Sequence, residues 1–146
     1  MGYTTEIIIE AMPADVFNAL TKKVQDWWGY TDNEVKELAD IFTTSFDKTF
    51  WKFEITEYVP NKKLTWTCID ARHVHEGYNG IEKEWLGTKV KWELVLLADR
   101  TKVYFEHEGL EPELNCYELC STTWEMFLVT SLKKYVETGI GKPSLM

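Results

Sequence analysis

Three cysteines, Cys68, Cys116 and Cys120, are all that the 146 residues contain. They are few, odd in number and at spacings that do not suggest a disulfide framework, which points to a reducing compartment. No run approaches the ~20 apolar residues that cross a bilayer. The opening MGYTTEIIIEAMP also lacks the basic-then-apolar order of a secretory leader. Its glycine makes no acylation signal either, because Glu6 stands where Ser or Thr is required. A cytoplasmic location without stable membrane insertion is expected. Basic charge is short as well: 16 Lys and Arg against 24 Asp and Glu leave a net charge of −8. Repulsion from phosphate then argues against a nucleic-acid partner.

Familiar catalytic patterns are missing too. Ser121 and Ser131 sit in no Gly-x-Ser-x-Gly elbow, and GTK and TGIGK lack the spacing of a phosphate-cradling loop. His73 and His75 lie two apart and Cys116 and Cys120 four apart. Neither spacing is an established zinc pattern, so neither metal nor cofactor is expected and the cysteine pair reads as small core packing. Glu106, Glu108, Glu111 and Glu113 read as solvated charge.

What the chain has in quantity is rings: seven Trp, seven Tyr and seven Phe, in a composition that is 45% apolar. That is far from disorder, and the length suits one domain over residues 1–146. Residues 3–11 read as a strand, since EIIIE is rich in β-branched residues. Pro13 suits the first turn of a helix carrying Val16, Phe17 and Leu20, with Asp15 favouring its N-terminus. VQDWWG reads as a second short helix or turn closed by Gly29. From residue 35 to 109 the period becomes two. Trp51, Phe53 and Ile55 share a face, as do Leu64, Trp66, Cys68 and Asp70, then Val90, Trp92, Leu94 and Leu96, then Val103, Phe105 and His107. These are hairpins of an antiparallel sheet with one buried face. RHVHEGYNGIEKEW, with Gly77 and Gly80, reads as a loop able to gate a site.

The last element reads as a helix of about 22 residues, roughly 33 Å long. Asn115 and Glu118 supply a capping box, and Gly139 and Pro143 supply the stop. Tyr117, Cys120, Trp124, Phe127, Leu128, Ser131 and Tyr135 fall on one face, which must lie against the aromatic side of the sheet.

PADVFNALT, WW, EYVPNKKLTWTC, EWLGTKVKWEL, TKVYFEHEGL and CYELCSTTWEMFLVTSLKKYVETGIGKP, in this order, resemble the START-like, or SRPBCC, superfamily. Within it they are similar to the bacterial branch related to the C-terminal domain of activators of the ninety-kilodalton heat-shock-protein ATPase. The resemblance implies an α+β helix-grip fold, as in the birch-pollen allergen: a curved antiparallel sheet wrapped around a long C-terminal helix, with two short helices after the first strand. It also implies a cavity between sheet and helix for a small hydrophobic molecule. The co-chaperones of this branch carry an additional N-terminal domain, for which 146 residues leave no room.

The ligand-binding candidates are therefore the inward rings Trp51, Phe53, Trp66, Trp92, Phe105, Tyr117, Trp124 and Phe127, together with Asp70 and His107. If Asp70 and His107 met, the carboxylate would orient and charge the imidazole for binding or proton transfer. The opposing reading makes His107 a satisfied structural histidine and most of the rings plain core. Three functions remain open: binding of a small hydrophobic molecule, interaction with a chaperone or another protein as monomer or homodimer, and catalysis on a hydrophobic compound by a cyclase, dehydratase or hydrolase. A binding protein is the leading expectation, and no catalytic residue is assigned.

Overall fold

A run of hairpins builds one seven-stranded antiparallel sheet, and the chain returns across it as a long helix. The structure, a computed structural model, describes residues 2–144; the ends of the expected 1–146 domain, at residues 1, 145 and 146, lie outside them. The strands are β1 (Gly2–Ile9), β2 (Tyr30–Thr31), β3 (Ile41–Phe46), β4 (Thr49–Val59), β5 (Lys63–Arg72), β6 (Lys89–Leu97) and β7 (Arg100–Glu108). Their order across the sheet is β1-β7-β6-β5-β4-β3-β2, so every pair but β1–β7 is consecutive in the chain. Between β1 and β2 come α1 (Pro13–Thr21) and a 3-10 turn, Val24–Asp26. This is the helix-grip α+β fold.

The C-terminal helix has three parts: α2 (Tyr117–Phe127), a π-helical segment Leu128–Leu132, and α3 (Lys133–Thr138). Gly139 closes it in the left-handed conformation at φ 85°, where a side chain would be strained. In the π segment, buried Ser131 donates to the carbonyl of Trp27 and accepts from the backbone N–H of Lys142. One hydroxyl thus ties the helix to the WWG turn and to the tail. The start of the helix departs from the expected capping box. Asn115 and Glu118 do not cap it; the carboxylate of Glu84 accepts from the backbone N–H groups of Asn115 and Cys116, both at 2.9 Å. A carboxylate from another segment does the same electrostatic work at the positive helix end.

Alternation holds through most of the sheet. Trp51, Phe53, Ile55, Trp66, Val90, Trp92, Val103 and Phe105 are all buried. Two departures bear on the residues singled out from sequence. Leu96 lies beyond the edge of the core and is 51% exposed. In β5, Phe53 pairs with Cys68 while Lys52 pairs with Asp70, leaving Ile69 as an extra residue. This bulge shifts the side-chain phase by one, so Ala71 is buried and Asp70 turns outward.

All seven tryptophans are buried. Trp28 sits among them, within 5.1–6.1 Å, centroid to centroid, of Trp27, Phe46, Trp51, Phe53, Trp66 and Trp124. The next residue must be glycine, because a Cβ on Gly29 would stand 2.5 Å from a ring carbon of Phe46. Gly29→Ala is expected to destabilise the protein by about 1–3 kcal/mol through overpacking, read as a lower urea midpoint with unchanged slope.

Candidate functional site

The segment between β5 and β6, residues 73–88, has little periodicity but is firmly held at both ends. His73 N–H donates to the carbonyl of Glu82, and Val74 exchanges two hydrogen bonds with the Thr49 hydroxyl. Lys83 reaches the carbonyl of Ala71 at 2.6 Å. Ile81 and Trp85 are buried anchors, while residues 74–80 form the exposed tip. The loop thereby folds over the end of the sheet and brings Trp85 against the face of Trp51, with centroids 4.0 Å apart and planes 18° from parallel. Trp85 is also parallel to Trp124 of α2 at 5.8 Å.

An apolar groove of about 320 Å³ opens where these elements meet. Trp28, Phe46, Trp51, Trp85, Trp124 and Phe127 form its aromatic wall, with His73, Cys120 and Thr123 among the polar contributors. Four buried ring nitrogens among the described residues have no hydrogen-bond partner, and two of them, Trp51 Nε1 and His73 Nδ1, belong to wall residues.

The structure divides the residues singled out from sequence. Trp51, Trp124 and Phe127 reach the groove. Phe53, Trp66, Trp92 and Phe105 do not; they pack on one another and on neighbouring rings in the centre of the fold. Tyr117, half-buried at the start of α2, is also outside the groove wall. Trp28, Phe46, Trp85 and His73 were missed. WWG was legible as a turn, and nothing in the pattern of residues 73–88 distinguished Trp85 as an inward ring.

Asp70 and His107 are not a pair. Asp70 is half-exposed and bonded to Lys83 at 3.3 Å, and the backbone N–H of Ala71 and then Lys83 hold its carboxyl below the usual range. His107 is fully buried. The Trp124 indole N–H donates to His107 Nδ1 at 3.0 Å, and His107 Nε2 lies 2.8 Å from the Thr88 hydroxyl. An indole can only donate, so Nδ1 is the bare nitrogen and Nε2 carries the proton. Thr88 passes its own hydroxyl proton to the Trp85 carbonyl at 2.6 Å. The imidazole is neutral, saturated and without access to a substrate, and its task is to join β7, the loop and α2.

Burial pulls the His107 pKa from 6.5 down to about 3. The unfolded chain therefore binds a proton that the folded chain refuses. The stability contributed is complete above pH 6.5 and is lost as pH falls toward 3, at ~1.4 kcal/mol per pH unit. Urea unfolding of wild type and His107→Gln across this window is expected to show that extra acid sensitivity in the wild type alone.

A second polar cluster borders the groove. A ring nitrogen of His73 and the sulfurs of Cys116 and Cys120 all fall within 4.8 Å of one another, and all three residues are buried. The Trp85 indole N–H points at Cys120 Sγ from 3.3 Å. The neighbouring Cys120 thiol, and then burial, push the Cys116 thiol well above its ordinary range, with His73 acting in the opposite direction. All three cysteines, the separate Cys68 included, are free thiols.

The sequence matches the family model described as Activator of Hsp90 ATPase homolog 1-like protein over residues 10–137. No curated protein matched it. Among solved structures, the solution structure of the Aha1 dimer from Colwellia psychrerythraea aligns with a TM-score of 0.74 at 24% identity, covering 97% of this chain and 99% of that one. DynU16, a putative protein in the dynemicin biosynthetic locus, aligns with a TM-score of 0.73 at 21% identity, over 98% of this chain and 49% of that one. Protein MLL2253 from Mesorhizobium loti gives 0.71 at 20% identity, over 92% and 96%. At such identities the structural likeness speaks for the fold, and it is the family model, spanning most of the sequence, that carries the assignment: the chain belongs to the Activator of Hsp90 ATPase homolog 1-like family.

Proposed function

We propose that this protein binds a small, flat, apolar molecule in the groove between the end of the sheet, the 73–88 loop and α2, and that it does so without chemistry on the ligand. The observation that carries this reading is a groove of about 320 Å³ walled by indoles, three of which, Trp51, Trp85 and Trp124, are nearly parallel. Ligand sites are mostly apolar, hold about 300–1,000 Å³, and use few polar groups for orientation. Stacked indoles favour a planar occupant. A reducing, cytoplasmic setting suits three buried free thiols. The likeness to a protein from a biosynthetic locus is in keeping with a small-molecule occupant. The catalytic alternative loses its support, because Asp70 and His107 are held apart by separate partners.

A protein-interaction role has one observation of its own. Val95, Leu96 and Leu97 are exposed side by side at the end of β6, and the Aha1 neighbour was solved as a dimer. Such a patch predicts self-association or a protein complex at that hairpin, away from the groove. Light scattering of wild type against Leu96→Lys reads it directly: equal monomer masses for both remove the homodimer.

For the groove, Thr123 lies on the wall without being part of the buried core. Thr123→Trp should fill the cavity and leave the fold in place. Native mass spectrometry of protein from its own host is expected to show a small-molecule adduct on the wild type that is absent from the folded variant. An adduct of equal occupancy on both would sink the proposal, as would a bare wild type that no flat apolar compound stabilises against heat.

A further inference from the structure

We infer that His73, Cys116 and Cys120 form a binding site for a soft or borderline d-block cation such as Zn²⁺, with an open coordination position facing the groove. The three donors come from two segments, the start of the 73–88 loop and the first turn of the long helix, and converge within 4.8 Å. A tetrahedral Zn²⁺ with metal–sulfur bonds of about 2.3 Å and metal–nitrogen bonds of about 2.0 Å holds such atoms about 3.5–3.8 Å apart. The cluster therefore needs a contraction of at most about 1 Å to close on an ion.

The hydrogen bonding of the imidazole adds a second observation. His73 is 6% exposed, and its Nδ1 has no hydrogen-bond partner among the described residues. Leaving a buried polar atom unpartnered is unfavourable. Two more residues of the loop, Trp85 and Glu84, act on the cysteines. The Trp85 N–H aimed at Cys120 Sγ is the kind of outer hydrogen bond that steadies a metal-bound sulfur. Glu84 pins the backbone N–H of Cys116 and so fixes where that side chain starts.

Two thiolates and one imidazole suit Zn²⁺ or Cu⁺ better than Mg²⁺ or Ca²⁺, which prefer oxygen. The thiol protons leave to solvent as the metal–sulfur bonds form. His73 and Cys120 lie on the groove wall and Cys116 behind it. Three protein ligands and a fourth position toward a cavity is the arrangement of an open zinc site, with water or a ligand oxygen filling the gap. The site stands independently of the groove's apolar occupant, since metal uptake is read with no organic compound present.

The test is titration of the reduced, metal-free full chain with Co²⁺ under anaerobic conditions, followed by displacement with Zn²⁺. One Co²⁺ per chain should bind, with a thiolate-to-cobalt charge-transfer band whose intensity reports two sulfurs and with the visible bands of a tetrahedral ion. Cys116→Ser and Cys120→Ser should each weaken uptake by more than about 100-fold, beyond the ~10–100-fold typical of outer-shell partners, while Cys68→Ser keeps the band. Trp85→Phe, which removes the N–H on sulfur together with part of the ring, should fall in that outer-shell range. No charge-transfer band in the folded wild type overturns the site whatever the variants do, as does a band that survives loss of either cysteine. An absent metal with an organic adduct still bound would refute this site and leave the groove reading in place.

Discussion

Every part of this fold has to close around one indole. Trp28 follows the 3-10 turn and enters the core from the side of the sheet that α1 and the turn cover, meeting rings from β3, β4, β5 and α2. Aromatic pairs of this kind contribute about 0.5–1.5 kcal/mol each beyond simple burial, and here they share one member. Displacing Trp28 therefore loosens strands and helix together. The constraint propagates to its neighbours: Gly29 is kept bare so that Phe46 can approach, and Ser131 of the long helix is bonded to the Trp27 carbonyl.

Because the rings of β4, β5 and β6 pack on one another so fully, the middle of the grip is closed. Trp66, Trp92, Phe53 and Phe105 are within 2% of full burial, and the space that a wider sheet would leave over its centre is filled by side chains. What remains open is one end, where Trp51 and Phe46 begin and end their strands and the 73–88 loop completes the wall. The buried polar chemistry is sorted by the same geometry. His107 lies inside, with both nitrogens partnered by Trp124 and Thr88. His73 lies at the open end with Nδ1 bare.

The 73–88 loop does three things for the molecule. Trp85 supplies a wall of the groove, Glu84 caps the long helix, and His73 joins the two helix thiols. None of these requires regular secondary structure. Each requires the loop's backbone to be fixed at its ends, which the bonds to Thr49, Glu82 and Ala71 accomplish. Side chains that act on different elements can then sit within a few residues of one another.

How much of this was written in the sequence depends on the range of the interaction. Period-two alternation placed Trp51, Phe53, Trp92 and Phe105 inward, and Pro13 and Gly139 marked a helix start and a helix stop, because these rest on contacts and torsions within a few residues. The ordered motifs were enough for the helix-grip architecture and the family. Asp70 was misplaced because a bulge is decided by how two strands pair, and one extra residue at Ile69 reverses the side-chain phase beyond it. Glu84 replaced Asn115 as the cap because a carboxylate brought from another segment can satisfy helix N–H groups as well as a local side chain can. The sequence by itself determined most of the strands, the two helix ends at Pro13 and Gly139, and most of the rings that are buried. Only the tertiary structure decided which of those rings fill the core and which bound the groove, and that His73 stands beside Cys116 and Cys120, since both depend on how distant segments pack once the indoles are in place.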